Sequence, residues 1–230
     1  MSSLTVNLSG KVIALTGASG ALGAAAALTL TKLGATVAHL DHGKAAPAPL
    51  HFGGLDLADE QVAADVFAKI TDSTQRLDAL INVAGGFAFE KFAGGTLAHW
   101  DLMYRQNLRT AVACCHAAVP YLLRGEAGRI VNVGAQGADH AGAGMGGYAA
   151  SKAGVAKLTE ALAAEFKSHG LTVNAILPSI MDTPRNRADM PQADFSRWVP
   201  LAAVADLIAF LVSDAAASIT GALIPINGKV

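Results

Sequence analysis

The sequence predicts a doubly wound parallel α/β sheet, and two observations support that prediction. Apolar runs rich in Val, Ile and Leu alternate along the chain with longer Ala-rich segments, which is typical of buried parallel strands joined by crossover helices. With 230 residues, 52% of them hydrophobic and 15% charged, the chain can bury one large core. We therefore expect one domain over residues 1–230, with about seven strands and with helices on both faces of the sheet.

Each element follows from this alternation. Six strands are predicted at Lys11–Leu15, Thr36–Leu40, Ala79–Val83, Arg129–Val133, Thr172–Leu177 and Leu223–Ile226, and a weaker one near Leu50–Phe52. Helices are predicted over Ala21–Leu33, Glu60–Thr71, Trp100–Leu123, Tyr148–His169 and Val204–Ser213. The Pro-containing stretches Gly43–Pro49 and Asp182–Asp194 are predicted to be exposed connections.

Charge and cysteine content exclude several classes of function. The net charge is −1 without any run of Lys or Arg, so we expect neither nucleic acid nor a membrane as a partner. Cys114 and Cys115 are adjacent, no CxxC or HExxH occurs, and the seven histidines form no ligand pattern. We therefore expect buried cysteines and no metal site.

The amino-terminal stretch lacks signal-peptide features, and no apolar run reaches the ~18 residues of a membrane span, so the prediction is a cytoplasmic protein.

A glycine-rich turn joins the first predicted strand to the first helix. Gly17, Gly20 and Gly23 lie in this turn, where backbone N–H groups at a helix N-terminus can bind a pyrophosphate without hindrance from a Cβ. Asp41 ends the second strand, eighteen residues beyond Gly23, close to where such folds place an acid against the adenosine ribose. A carboxylate accepts hydrogen bonds from both ribose hydroxyls and repels a 2′-phosphate. We therefore predict that the protein prefers NAD(H) to NADP(H). NADP(H) is not excluded, because the positive charge of Lys44, close to Asp41 in the sequence, would reduce that repulsion.

Tyr148 and Lys152 are the candidate catalytic pair. They are four residues apart on a predicted helix and so share one face. An ammonium beside a phenol favours the phenolate, so we expect Lys152 to lower the pKa of Tyr148 from its usual value near ~10 and make it a usable acid or base.

These motifs together resemble the short-chain dehydrogenase/reductase family over essentially the whole chain. The matching elements are T16GASGALG23, Asp56 in LDLAD, N82VAG85, Asn107, Tyr148 with Lys152, and VNAILP followed by Thr183. The resemblance implies a Rossmann-type sheet, a small-molecule substrate, a ribose contact for Lys152, and an Asn107 that supports a proton-relaying water. It also implies cofactor contacts at Gly17, Ser19, Gly20, Leu22, Gly23, Asp41, Asp56, Leu57, Asn82, Ala84, Gly85, Tyr148, Lys152, Pro178, Ile180 and Thr183.

One position departs from the family pattern. Thirteen residues before the tyrosine the family carries a serine that orients the substrate carbonyl, whereas this chain has Ala135. Three interpretations stay open: an inactive chain that binds NAD(H) as a sensor, a substitute donor such as Gln136 or His140, or a substrate that does not require the serine.

Several stretches favour the third interpretation because they resemble dihydropteridine reductase, which also has alanine there. They are the GxxGxxG spacing from Gly17 to Gly23, VAGGF, DLMYRQ and LPSIMDTPRNRADMPQADFSRW. A quinonoid dihydropterin is then the leading substrate, and Phe87 and Trp198 are candidates to line its pocket. The alternative is a carbonyl or alcohol oxidoreductase of the 3-oxoacyl type.

The long helices predicted near 100–123 and 148–169 carry more apolar surface than one core-facing side requires. The family resemblance implies that such helices pair between subunits. We expect a homotetramer or a homodimer.

Overall fold

The computed structural model describes residues 6–125 and 127–230. Seven parallel strands form one sheet in the order β3-β2-β1-β4-β5-β6-β7. Their bounds are β1 Val12–Thr16, β2 Thr36–Leu40, β3 His51–Phe52, β4 Ala79–Asn82, β5 Arg129–Val133, β6 Thr172–Pro178 and β7 Leu223–Ile226. The predicted doubly wound sheet is confirmed, and β2, β5 and β7 have the bounds that the sequence predicts.

Helices cover both faces of this sheet. They are α1 Ala21–Lys32, α2 Glu60–Thr74, α3 Leu97–Met103, α4 Thr110–Leu122, α5 Gly146–Phe166, α6 Pro184–Asp189 and α7 Leu201–Leu211. One buried apolar cluster joins α1 and α7 to one face, and a second joins α2, α4 and α5 to the other. The central strands β1, β4, β5 and β6 are buried along their whole length, as parallel strands covered on both faces must be.

The helix predicted over Trp100–Leu123 is present as helical backbone to Leu122, but it is not a single α-helix. α3 begins earlier, at Leu97, where Thr96 caps it, and a π-helical segment over Tyr104–Arg109 separates it from α4. π-helical turns are rare and often lie at functional sites; this one contains Asn107. The stretch 182–194 is also less irregular than expected, because Pro184 and the capping Thr183 begin α6 there.

The strand order places a cleft at the carboxyl edge of the sheet. β1 lies between β2 and β4. The strand order therefore runs outward from β1 in two opposite directions, through β2 and β3 on one side and through β4 to β7 on the other. Ligands of doubly wound sheets bind at such a point. No helix in the described part of the chain is both long and apolar enough to cross a membrane.

Candidate active site

A cleft of about 800 Å³ runs along this edge of the sheet. One wall comes from the turn after β1 and the ends of β2 and β3. The opposite wall comes from the segment after β4, the end of α3, the π-helical segment and the segment after β6. The predicted cofactor residues among its lining are Gly17, Ser19, Gly20, Leu22, Asp41, Asp56, Leu57, Ala84, Gly85 and Thr183.

The turn before α1 is packed too closely for side chains at two of its glycines. Gly17 has a φ of 65°, and a Cβ there would lie 2.8 Å from the backbone nitrogen of Ala84. A Cβ on Gly23 would lie 2.1 Å from the carbonyl oxygen of Gly17. The first turn of α1 carries no acidic residue and no capping side chain, so its N–H groups and its positive dipole end face the cleft. This end of the cleft suits a phosphate group.

Asp41 is held in place before any ligand arrives. One carboxylate oxygen accepts a hydrogen bond from the Ser19 backbone N–H at 2.9 Å, and the other accepts one from Gly43 at 3.0 Å. Burial raises the pKa of Asp41, but these hydrogen bonds outweigh that effect and the net direction is a lowered pKa. The cleft therefore presents a fixed negative charge at the end of β2.

Asp56 and Arg105 form an ion pair between the two walls of the cleft. The Arg105 guanidinium donates to one carboxylate oxygen of Asp56, and the backbone N–H of Ala58 donates to the other at 3.2 Å. The hydrogen bond from Arg105 is the main cause of a lowered pKa for Asp56. Sequence reasoning did not predict Arg105, because its approach to Asp56 depends on the π-helical segment.

Lys152 is buried next to Gly85, which lines the cleft, and the pKa shifts of Lys152 and Tyr148 contradict one expectation. Its Nζ donates to the carbonyl oxygen of Val133 at 2.7 Å. Burial lowers the pKa of Lys152 to about 8 and raises the pKa of Tyr148 to about 12. The expectation that Lys152 lowers the pKa of Tyr148 is therefore wrong for the chain by itself, because desolvation of the half-buried phenol determines the direction.

Asn107 is hydrogen-bonded to the segment after β4 and to Ser151 of α5. Its amide nitrogen donates to the Gly86 carbonyl and to Ser151 Oγ, both at 3.0 Å, while its amide oxygen accepts from the Gly86 N–H at 2.9 Å. Ser151 Oγ in turn donates to the carbonyl of Tyr148 at 2.7 Å. Both amide hydrogens are thus used within the protein, and the side chain links the segment after β4 to the first turns of α5.

Gly85 connects this group to the cleft. It lines the cleft, and a Cβ built on it would lie 2.5 Å from Asn107 Oδ1 and 3.5 Å from Lys152 Nζ. Asn107 and Lys152 therefore lie next to the wall of the cleft.

The candidate substrate residues differ in their exposure and in their distance from Tyr148. The Phe87 ring is 53% exposed and packs edge-on against the Tyr148 ring, with centroids 5.0 Å apart. Ala135 is buried two residues after the end of β5, Gln136 begins a half-buried 3₁₀ turn, and His140 is exposed. Trp198 is 5% exposed and packs against Phe195. Like Phe87, it is not among the residues that line the cleft, so its assignment to the substrate pocket stays a prediction.

Other predicted residues support the walls rather than line them. Asn82 donates to Asn132 Oδ1 at 2.9 Å, and Asn132 donates to Thr159 of α5 at 2.9 Å. Pro178 is buried at the end of β6, and the carbonyl oxygen of Ile180 accepts a hydrogen bond from the Val199 N–H at 2.9 Å.

The adjacent cysteines, Cys114 and Cys115, are both buried, and desolvation raises the pKa of each thiol. Asn82 donates a hydrogen bond to Cys115 Sγ. Within residues 6–125 and 127–230, no three His, Cys, Asp or Glu side chains form a group that could hold a metal ion.

Sequence reasoning missed much of the wall opposite Asp41. That wall includes Leu102, Arg105, Gln106, Thr110 and Met181. The available signal was position in the sequence, since four of these residues are close to Asn107 and Met181 is close to Thr183. Helical spacing alone could not select them, because the π-helical segment changes which residues face the cleft.

Comparison with known proteins identifies the family. Residues 11–194 match the family described as short chain dehydrogenase. The chain belongs to the short-chain dehydrogenase family. It is therefore an oxidoreductase of a family that binds NAD(P)(H) and acts on small molecules. The predicted family resemblance is confirmed.

Individual members of the short-chain dehydrogenase family match nearly the whole chain. The 3-oxoacyl-(acyl-carrier-protein) reductases of Vibrio harveyi and Escherichia coli are 32% and 31% identical, each covering 97% of this chain and 98% of its own length. A putative short-chain alcohol dehydrogenase from Sinorhizobium meliloti has a similar structure, with a TM-score of 0.87, 28% identity and 97% of each chain covered. Carveol dehydrogenase from Mycobacterium avium, solved in complex with NAD, shares the fold with a TM-score of 0.86 at 24% identity, covering 97% of this chain and 98% of its own.

Proposed function

We propose that this short-chain dehydrogenase transfers hydride between NAD(H) and a small organic substrate, with Tyr148 as the proton donor. The observation that supports the proposal is the position of Gly85. Gly85 lines the cleft that also contains the glycine-rich turn and Asp41, and a Cβ built on it would lie 2.5 Å from Asn107 Oδ1 and 3.5 Å from Lys152 Nζ.

The residues present fit a nicotinamide dinucleotide. The N-terminus of α1 would hold the pyrophosphate and Asp41 would accept from the adenosine ribose. Lys152 would hold the nicotinamide ribose, because its Nζ lies next to Gly85, which lines the cleft. When bound, the reduced cofactor supplies the hydride.

The protein's own part in the reaction is to position the substrate and to deliver a proton. With its pKa raised to about 12 by burial, Tyr148 is protonated at neutral pH and can donate to a substrate atom that gains electron density. Asn107 acts as a positioning residue, since it fixes the start of α5 through Ser151. The substrate gains a hydride from NADH and a proton from Tyr148. The tyrosinate then takes a proton from solvent before the next turnover, so atoms and charge balance.

The proposed preference for NADH over NADPH follows from Asp41. We expect Asp41→Ser to raise the affinity for NADPH relative to NADH by about a hundredfold, because a carboxylate beside a 2′-phosphate costs several kcal/mol. Fluorescence titration with both cofactors measures the ratio, and Asp72→Ser on the exposed side of α2 is the control. If the unaltered protein binds NADPH as tightly as NADH, the proposed preference is wrong.

Two residues, Ala135 and Phe87, favour one substrate class. We propose a quinonoid dihydropterin as the substrate. No hydroxyl is available at Ala135 to orient a carbonyl oxygen, and the exposed Phe87 ring beside Tyr148 offers an apolar surface to a flat heterocycle. A carbonyl substrate of the 3-oxoacyl type is the second candidate, supported by the relatives that are 31% and 32% identical.

Ala135→Ser separates these two candidates. We expect reduction of a 3-oxoacyl thioester to rise about tenfold or more, because a donor to a developing oxyanion contributes up to ~10²–10³ in rate. Reduction of quinonoid dihydropterin is expected to stay unchanged or to fall. The variant Ala138→Ser, in the same 3₁₀ turn, controls for the added hydroxyl. A high activity on ketones in the unaltered chain that the serine does not improve would favour a substitute donor such as Gln136.

We further propose that the protein assembles as a homotetramer or homodimer through residues 100–123 and 148–169. Trp100, Tyr104 and Val112 expose 37%, 51% and 42% of their surface on the first of these segments, which is more apolar exposure than a solvated face requires. Sedimentation at micromolar concentration tests this, and a monomeric mass would contradict it.

A further inference from the structure

The segment after β4 is held in place at two points beside Tyr148. Near its start, Gly86 exchanges two hydrogen bonds with the side chain of Asn107. Farther along, the backbone N–H of Glu90 donates to the carbonyl oxygen of Gly144 at 3.0 Å, in the loop that leads into α5. The backbone between these two points is therefore fixed by the protein itself.

Two phenylalanines, Phe87 and Phe89, lie on this fixed backbone. The Phe87 ring packs against the Tyr148 ring. The Phe89 ring lies over Gly144, since a Cβ built on this glycine, whose φ is 80°, would lie 2.4 Å from two of the ring atoms. Phe89 is nevertheless 59% exposed. An apolar ring with a fixed position is thus open to a ligand, over a residue only four positions before the proposed proton donor.

The backbone around Tyr148 carries almost no charge. Three segments contact the first turn of α5 or lead into it, over residues 83–89, 134–138 and 141–147. Gln136 is their one polar side chain, and Asp139 and His140, between two of the segments, are exposed. A carboxylate or phosphate on a substrate would meet no cation in these segments and would lose hydration against apolar side chains. An uncharged apolar group would be favoured, because it would remove the Phe89 ring from water.

We propose that Phe89 is a specificity-determining residue, which selects a substrate with an uncharged, apolar substituent beside its reacting atoms. The substituent lies on the exposed Phe89 ring. The reacting atoms would lie at Tyr148, so the inference rests on the proposed function. Because the ring is already held over Gly144, little conformational entropy is lost when the substituent binds. Loss of the ring should therefore weaken substrate binding and leave the chemical step nearly unchanged.

Two matched pairs of substrates test this selection, and the members of each pair differ only in having a phenyl group or a carboxylate at one position. One pair is quinonoid dihydropterin with a phenyl or a carboxyl group at its 6-position. The other is the methyl ketones benzylacetone and levulinate. Rates with NADH are measured for the unaltered protein, Phe89→Ser, Phe89→Leu and Phe92→Ser. Phe92 is the matched control, because it is an exposed phenylalanine that lies beyond the bond from Glu90 to Gly144.

We expect the unaltered protein and Phe92→Ser to favour the phenyl member of the pair that they reduce by about thirtyfold or more in kcat/KM, the scale of burying one aromatic group. Phe89→Ser should lower this ratio to about threefold or less. The loss should come from a higher KM for the phenyl substrate, with kcat and the affinity for NADH nearly unchanged. Phe89→Leu keeps an apolar side chain and should retain part of the ratio.

Several results would overturn the inference while leaving the proposed function standing. They are a ratio near one in the unaltered protein, an unchanged ratio in Phe89→Ser, and an equal loss in Phe92→Ser. A fall in kcat on both members of a pair would show that Phe89 only supports the loop, and a lower mass in sedimentation with an unchanged ratio would assign the ring to a subunit contact. Either result would also overturn it. NADH binding without turnover of any of the four substrates would contradict the proposed function and the inference together.

Discussion

Replacing Tyr148 with phenylalanine is expected to lower kcat for NADH-dependent reduction by about a thousandfold, within the range attributed to a positioned general acid. The substitution removes the only oxygen of that side chain and keeps the ring that packs against Phe87. The affinity for NADH should therefore change little, and the fold should remain intact. Steady-state rates and fluorescence titration measure the two quantities.

Tyr121→Phe on α4 controls for the loss of a tyrosine hydroxyl elsewhere in the chain. If Tyr148→Phe and Tyr121→Phe retained similar kcat values, Tyr148 would not be the proton donor, and the proposed mechanism would fail even if NADH binding persisted.

Replacing Gly23 with alanine is expected to abolish NADH binding and to lower the free energy of unfolding by about 2–4 kcal/mol, the scale of severe overpacking. The new Cβ would lie 2.1 Å from the Gly17 carbonyl oxygen, a backbone atom that cannot move without displacing the turn. Denaturant unfolding and NADH titration measure the two effects.

Gly20→Ala is the matched control because it lies in the same turn with a φ of −68° and a nearest contact at 3.3 Å. We expect that variant to stay folded and to bind NADH with a small loss. Equal behaviour of the two variants would show that close packing of Gly23 against Gly17 is not what shapes the phosphate-binding turn.

The sequence predicts the sheet well because its signals are local. Runs such as Val12–Thr16 and Thr172–Pro178 are buried on both faces and carry an apolar pattern that few other structures accommodate. The glycine-rich turn and Asp41 are predictable for a similar reason, since each directly follows the end of a strand.

The remaining features of the site depend on contacts between distant segments. The π-helical segment that brings Arg105 to Asp56 has no sequence pattern that distinguishes it from an α-helix. The direction of the Tyr148 pKa shift depends on desolvation by the surrounding structure, which the spacing between Tyr148 and Lys152 does not reveal.

Transfer of deuterium from NADH labelled at the hydride position tests the central claim most directly. The labelled cofactor is incubated at neutral pH with quinonoid dihydropterin, and separately with a 3-oxoacyl thioester and a panel of simple ketones, and the products are analysed by mass spectrometry. We predict deuterium in the product of at least one substrate, and its loss in Tyr148→Phe. Tight NADH binding without deuterium transfer to any of these substrates would contradict the claim that the chain is a hydride-transfer enzyme and would favour a cofactor-binding sensor.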